Sequence, residues 1–560
     1  MVTEHDILIR NATIIDGTGG NRYKGDIGIR EGIITSVGKR IKADSKLTIN
    51  AKGLVCSPGF IDIHSHNDTS MLFDNRLQSM VHQGVTTSVI GNCGFSLAPI
   101  TDDRIELMDQ EIKTFLPPGQ KLTPTWRTFE EYLAKLETID LAMNIIALVG
   151  FGTVRIAGGP AYEDRPPNSE EMLSMRMLVE EAMQAGAFGM STGLIYAPQI
   201  YAETEEILEL AKVVAHYDGL YFSHIRGEGE TLVDAVNEAV DIVERSGCRG
   251  GQIAHHKVAG RAFWGLSKKT LRIIAEANER GQQIACDQYP YNRGATSLIT
   301  VLPPWAHEGG LEAALERLRD SATRLQIISD IESGLNGWEN IINEASWDGV
   351  YISYVKTDKW AGIEGLSLSA IAESRGYEVP FDMLFDLLLD EKGEVSMTIE
   401  SMGEEDIRRI MQSSYTMIGT DGSGVAPTGV MSSGKPHPRH YGTYPRILGK
   451  YVREEGVLSF EEAIWKMSGF PAKQLGLLDR GFIREGIAAD IVVFDPETVI
   501  DKSTFLDPHH FPEGIHHVIT NGVSVIRNRQ QTEYLPGVIL KHGEGRPFPI
   551  SYASDSNPPS

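Results

Sequence analysis

The sequence predicts an α/β protein: a (β/α)8 TIM-like barrel joined to a small β-sandwich made from the two ends of the chain. Three observations carry this. Short apolar runs with strand character alternate with helix-like segments through the middle of the chain. Eight such runs can be picked out, the number that a (β/α)8 barrel requires. Both termini instead show short alternating strands broken by glycine.

Taken in order, residues 7–10, 12–15, 26–29 and 32–37 read as the N-terminal strands. Residues 489–495, 517–522 and 523–526 answer them from the far end. The expected division is 1–57 and 481–560 for the two halves of the sandwich, with 58–480 for the barrel. Candidate barrel strands are 59–64, 85–90, 144–149, 187–191, 220–224, 252–255, 283–286 and 415–419. Helix-like segments lie between them, for example 169–185, 202–216, 231–246 and 267–280.

One interval breaks the rhythm. An insertion at about 297–378 contains Trp305, Trp338, Trp347 and Trp360 and a strand-like stretch at 349–355. Chain inserted after a barrel strand sits at the catalytic end. It is therefore expected as a lid or pocket wall, the alternative being a packing appendage. The tail, 551–560, has the composition of a disordered segment.

Composition narrows the class. With 560 residues, 41% of them hydrophobic, the chain can bury a large core and is too long for one simple domain. A formal net charge of -24 argues against nucleic acid as a partner. It leaves room for an anionic small molecule, because the field in a pocket can oppose the global charge. No apolar run approaches the roughly 20 residues that span a bilayer, and the first ten residues lack a basic, then apolar, leader. No membrane partner and a cytoplasmic location are expected; no oligomeric state is read from the chain. Four cysteines (56, 93, 248 and 286) in so long a chain do not make a disulfide framework.

The chemistry concentrates at strand ends. His64 and His66 close the run Gly59-Phe60-Ile61-Asp62-Ile63, and side chains two apart on a strand face the same way. Cys93 follows the second candidate strand, His224 ends the fifth, and His255 ends the sixth. Asp421 follows the eighth, in Gly419-Thr420-Asp421-Gly422. In a barrel these ends converge on one site. Imidazole, thiolate and carboxylate together suit Zn2+. Each residue alone has a bland alternative: Cys93 as a small buried filler, Asp421 as a turn aspartate. His255-His256 is ambiguous, since neighbours on a strand point oppositely; His255 is favoured because it ends the apolar run Gln252-Ile253-Ala254. A carboxylate over a zinc site can take the proton of an activated water and pass it to a leaving group, which is the role expected of Asp421. No Walker or dinucleotide spacing, nucleophile elbow or Cys-x-x-Cys pair competes.

These segments resemble the amidohydrolase superfamily and, within it, the N-acyl-D-amino-acid deacylases (D-aminoacylases). The resemblance rests on Pro58 to His66, Gly91-Asn92-Cys93-Gly94, Ser223-His224, Ala254-His255-His256-Lys257, Tyr289-Pro290-Tyr291, Gly419 to Gly422 and His437-Pro438-Arg439. It covers nearly the whole chain. It implies the barrel with its small sandwich, one tightly bound zinc held by Cys93, His224 and His255, and a weaker second metal position using His64, His66 and Cys93. The fourth strand carries no lysine to bridge two metals, which fits a cysteine in that place. Lys257, Tyr289 or Tyr291, and Arg439 match the groups that hold the substrate's carboxylate, and Arg293 is placed to read an acidic side chain. The implied reaction is hydrolysis of a small-molecule N-acyl-D-amino acid to a carboxylate and a D-amino acid. The alternatives are a cyclic-amide hydrolase, dipeptidase or deaminase on the same scaffold, or a non-catalytic binding protein.

Overall fold

The computed structural model describes residues 5–117 and 119–543; the tail at 551–560 lies outside them. Eight parallel strand positions form the barrel: Phe60–Asp62, Val85–Ile90, Asn144–Ala147 continued by Val149–Gly150, Gly189–Gly193, Leu220–His224, Gly250–Ile253, Ile284–Gln288 and Thr416–Ile418. Each pairs in parallel with the next. The ring closes just past the strands themselves. Asp421 N donates to His64 O at 2.7 Å, and His66 N donates to Gly422 O at 2.8 Å.

A period of two explains why these runs read as solidly apolar. Ile61, Ile63, Val89, Ile146, Leu148, Phe188, Leu220, Phe222, Ala285 and Met417 pack together as one cluster. Their strand neighbours Phe60, Ile90, Ile145, Ala147, Met190, Tyr221, Ile284, Cys286 and Ile418 belong to a different one, shared with the helices. Alternate residues thus fill the barrel and meet the surrounding helices, so both faces are buried. The helices supply the matching stripe. Leu232–Ser246 buries Leu232, Ala235, Val236, Ala239, Val240, Ile242 and Val243 on one side. Ser169–Ala185 starts at a capping box between Asn168 and Glu171 and stops at Gly186, whose φ of 114° favours glycine. Among the described residues no helix is long and apolar enough to cross a membrane.

The terminal strands form a separate small β-sheet domain of nine strands, in which Val55–Pro58 from the N-terminal part pairs with Ile491–Phe494 from the C-terminal part. The run Ile491-Val492-Val493-Phe494 alternates once more. Ile491 and Val493 join the sheet's own core with Ile9, Ile27 and Ile29, while Val492 and Phe494 join the barrel's outer core. That double burial fixes the sheet against the barrel.

Between the seventh and eighth barrel strands lies a unit with its own core, which includes Leu298, Ile352, Trp360, Phe381, Phe385 and Met397. Its antiparallel strands are Arg293–Ser297, Val350–Tyr354 and Ser396–Glu400. The unit runs wider than 297–378, because Arg293 pairs directly with Glu400 and Ser297 with Ser396.

Candidate metal centre

Cys93, His255 and Asp421 each leave their strand through a left-handed backbone turn, with φ of 54°, 33° and 49°. Such conformations are costly for non-glycine residues and gather at functional sites. Here each turn re-aims a side chain from the strand's regular path toward the barrel axis. Gly91 makes a close approach beside Cys93: its φ is 77°, and a Cβ there would collide with the Leu148 carbonyl.

The six predicted residues converge. Cys93 Sγ lies 3.4 Å from His64 Nε2 and 3.5 Å from His255 Nε2. His224 Nδ1 is 2.9 Å from His255 Nε2. Asp421 Oδ1 is 3.1 Å from His66 Nε2 and 3.5 Å from His64 Nε2. Ligand-competent atoms of His64, Cys93, His255 and Asp421 all lie within 4.8 Å of one another. His256 is excluded from this group by its direction, its Nε2 being 2.8 Å from Thr270 Oγ1 on the helix behind.

Zinc fits this donor set. Bond lengths of about 2.0–2.1 Å to nitrogen and about 2.3 Å to sulfur, at tetrahedral angles, separate N from N by about 3.3 Å and N from S by about 3.6 Å. The separations above fall close to those values, and His224 Nε2, on the far side of its ring, is a buried atom with no hydrogen-bond partner. The sulfur is prepared as well. Desolvation alone would raise the Cys93 thiol, but the charges of His64 and His255 and hydrogen bonds to His224 and His255 hold it well below the ordinary thiol range.

The carboxylate is tuned in the same way. Burial would raise Asp421, yet Arg439, His255, His64 and His66 hold it well below the ordinary value. Arg439 Nη1 grips Oδ2 at 2.8 Å, leaving Oδ1 to the histidines. His437 sets Arg439 in place: its Nδ1 accepts from Arg439 N at 2.9 Å, and its Nε2 is 2.9 Å from Arg293 O on the insertion's first strand.

The predicted substrate groups separate into two sets. Tyr289 is buried between Arg439 and Lys257, whose charges lie 4.8 and 5.8 Å from its ring centre. Lys257 Nζ sits 2.5 Å from Glu228 Oε1. Tyr291 is turned away: its hydroxyl lies 3.4 Å from Asp501 Oδ2 and from Pro438 O, with Arg446 over its ring. Arg293 donates from Nε and Nη2 to Glu400 Oε2 at 3.0 and 2.6 Å and stacks on Tyr351. A cavity of about 730 Å³ opens nearby between the insertion and the loops after strands five and six, lined by Phe263, Trp338, Glu339 and Glu344 among others; none of the six converging residues lines it.

Three residues of the site were not found by reading the sequence. Asp287 accepts from His255 N at 2.8 Å and lies 3.3 Å from His64 Nδ1. Its signal was available, as a carboxylate within an apolar strand end. Glu228 touches Lys257 and His255, and Tyr196 meets the His224 ring edge-on at 5.0 Å between centres; neither falls in a recognisable motif.

Comparison with known proteins places this arrangement. A model of the amidohydrolase family matches residues 47–526. A D-aminoacylase of Alcaligenes xylosoxydans xylosoxydans is 34% identical over 539 residues, covering 96% of this chain and 97% of that protein. The crystal structure of an N-acyl-D-glutamate deacylase from Bordetella bronchiseptica, complexed with zinc and a phosphonate mimic of the tetrahedral intermediate, superposes with a TM-score of 0.80 at 30% identity, covering 96% of this chain and all of that one. A D-aminoacylase structure with a binuclear metal centre, one metal activating and a second attenuating, gives 0.78 at 32% identity, again covering 96% of this chain and 100% of its own.

Proposed function

This chain belongs to the amidohydrolase family, in its N-acyl-D-amino-acid deacylase branch, and from that premise we propose the reaction and the residues that perform it. The enzyme is a zinc-dependent hydrolase of carbon–nitrogen bonds: it cleaves the amide of an N-acyl-D-amino acid to a carboxylate and a D-amino acid. Cys93, His224 and His255 would hold the tighter ion, and His64, His66 and Cys93 the weaker one. Zinc bound there would supply a Lewis acid for the acyl carbonyl and the means to lower the pKa of water.

Asp421 moves the proton. Its Oδ1 side accepts from the water as the carbonyl carbon is attacked, and the same carboxyl then protonates the leaving nitrogen. Arg439 keeps it ionised beforehand. The substrate's carboxylate is bound by Arg439, Lys257 and the hydroxyl of Tyr289. Arg439 has capacity for this, because its Nε is buried with no hydrogen-bond partner and a guanidinium carries five donors. Arg293 reads an acidic substrate side chain only by giving up Glu400, so neutral side chains are the favoured class. The insertion is the pocket wall: the carbonyl of Ala295 on its first strand accepts from Arg439 Nη2 at 3.4 Å.

The same reading divides the chain into 1–57 with 481–560, and a barrel at 58–480. Four free cysteines support a reducing, cytoplasmic location. The observation that carries the function is the meeting of Cys93, four imidazoles and Asp421 at the barrel mouth, with Arg439 on the far oxygen of that carboxylate. The test is a substrate panel of N-acetyl-D- and L-amino acids, dipeptides, hydantoins and dihydropyrimidines. Turnover confined to the N-acetyl-D-amino acids is expected. Faster turnover of the cyclic amides or of the L series would overturn the assignment.

A further inference from the structure

Glu228 is buried, 6% exposed, on the loop that leaves the fifth barrel strand. Its N–H donates to Glu339 Oε2 at 2.8 Å, so its backbone is anchored. Its Oε1 is a meeting point: Lys257 Nζ lies at 2.5 Å, His255 Nδ1 at 3.1 Å and His224 Nε2 at 3.9 Å.

His255 therefore shows a different nitrogen to each side. Nε2 faces Cys93 and His224; Nδ1 faces Glu228. A neutral imidazole carries one proton. With that proton on Nδ1, the Nε2 lone pair points at Cys93 and can ligate. With it on Nε2, ligation is blocked. Lys257 opposes the first arrangement. Its Nζ is 2.6 Å from Nδ1, and an ammonium only donates, so alone it would claim the Nδ1 lone pair and leave the proton on Nε2. A carboxylate beside both reverses this, because it accepts from the ammonium and from Nδ1–H together. The 3.9 Å to His224 is beyond hydrogen-bond reach, so the effect is on His255.

We propose that Glu228 is a positioning residue that selects the metal-binding form of His255 against the competing donor Lys257. The proposal rests on the zinc reading above. The experiment measures zinc retention against a competing chelator, with the full-length zinc-loaded protein as reference. Glu228→Gln is expected to weaken retention by about tenfold or more. Adding Lys257→Met to that variant is expected to recover most of the loss, because the competing donor is gone; a residue that served only packing would not be suppressed in this way. Unchanged retention in Glu228→Gln, or a double variant as leaky as the single, overturns the role of Glu228 while leaving the zinc site standing. A wild-type protein that holds no zinc overturns both. If circular dichroism shows Glu228→Gln unfolded, Lys257→Met alone decides: retention equal to or tighter than wild type supports the proposal, and weaker retention overturns it.

Discussion

The two ends of the barrel bury the same residue types and treat them oppositely. At the mouth, Cys93 is held well below the ordinary thiol range by imidazoles that outweigh desolvation. Toward the closed end, Cys286 faces Thr416 Oγ1 at 3.2 Å, and burial pushes it up to about 12. Lysines repeat the contrast. Desolvation would lower Lys257, but Glu228 outweighs it and holds the ammonium above its ordinary value. Lys466 Nζ donates to the carbonyls of Ser413 and Thr416, and burial outweighs the weaker pull of Cys286 and Glu462 and lowers it to about 8. Burial is common to all four. What separates a working group from a packed one is the charge that faces it.

The largest expected effect breaks the mouth at the proton carrier proposed for it. Asp421→Asn should lower kcat by about 10²- to 10⁴-fold while zinc content, read by elemental analysis, stays near wild type. Near-normal turnover would remove Asp421 from the chemistry. The cysteines test the contrast itself. Cys93→Ala should weaken zinc retention by about tenfold or more, whereas Cys286→Ala should leave zinc and activity alone and cost about 1 kcal/mol of stability. Equal zinc loss from both substitutions would mean that the two thiols do not differ as their surroundings indicate.

The sequence revealed more of this mouth than of its supports. His64, His66, Cys93, His224, His255 and Asp421 were legible because barrel topology sends strand ends to one place, whatever their spacing along the chain. Glu228 was not, since it acts through the far nitrogen of His255 and a contact behind a ring leaves no periodicity; Asp287 left only the signal of a carboxylate within an apolar strand end. Tyr289 and Tyr291 were indistinguishable as a pair; the turn between them sends one to Arg439 and the other to Asp501. The barrel strands were legible from apolar runs. The edge of the insertion was not, because the partner of Arg293 is Glu400, a pairing too distant for local pattern to show.

Arg439 sharpens the comparison through pH. It is the first of the charges that offset burial at Asp421. Arg439→Met should therefore let the Asp421 carboxyl rise. Activity needs that group ionised, so the acid limb that it sets in the kcat/KM profile should move to higher pH. The value of kcat/KM itself should fall by about 10²-fold, as expected for one partner of a buried charge pair. A limb that stays in place would assign the depression of Asp421 to the histidines instead.

The last effect lies at the closed end and concerns stability alone. Burial lowers the Lys466 ammonium to about 8 in the folded protein against an ordinary 10.5. Below about pH 8 both folded and unfolded chains bind its proton. Between the two values the unfolded chain binds it and the folded chain does not, so stability rises with pH across that window. The gain is on the order of 3 kcal/mol at its limit. Lys466→Met should remove it: measured by denaturant unfolding, the difference between variant and wild type should shift against the variant as pH goes from 8 to 10.5. Lys257 predicts the opposite sign, because Glu228 favours its charged form; its contribution is complete below pH 10.5 and is lost only above it. Two buried lysines of one barrel would then be told apart by the slope of stability with pH. A Lys466 difference that is flat across the window would show its charge to be solvated after all, and the contrast between the two ends would rest on the cysteines alone.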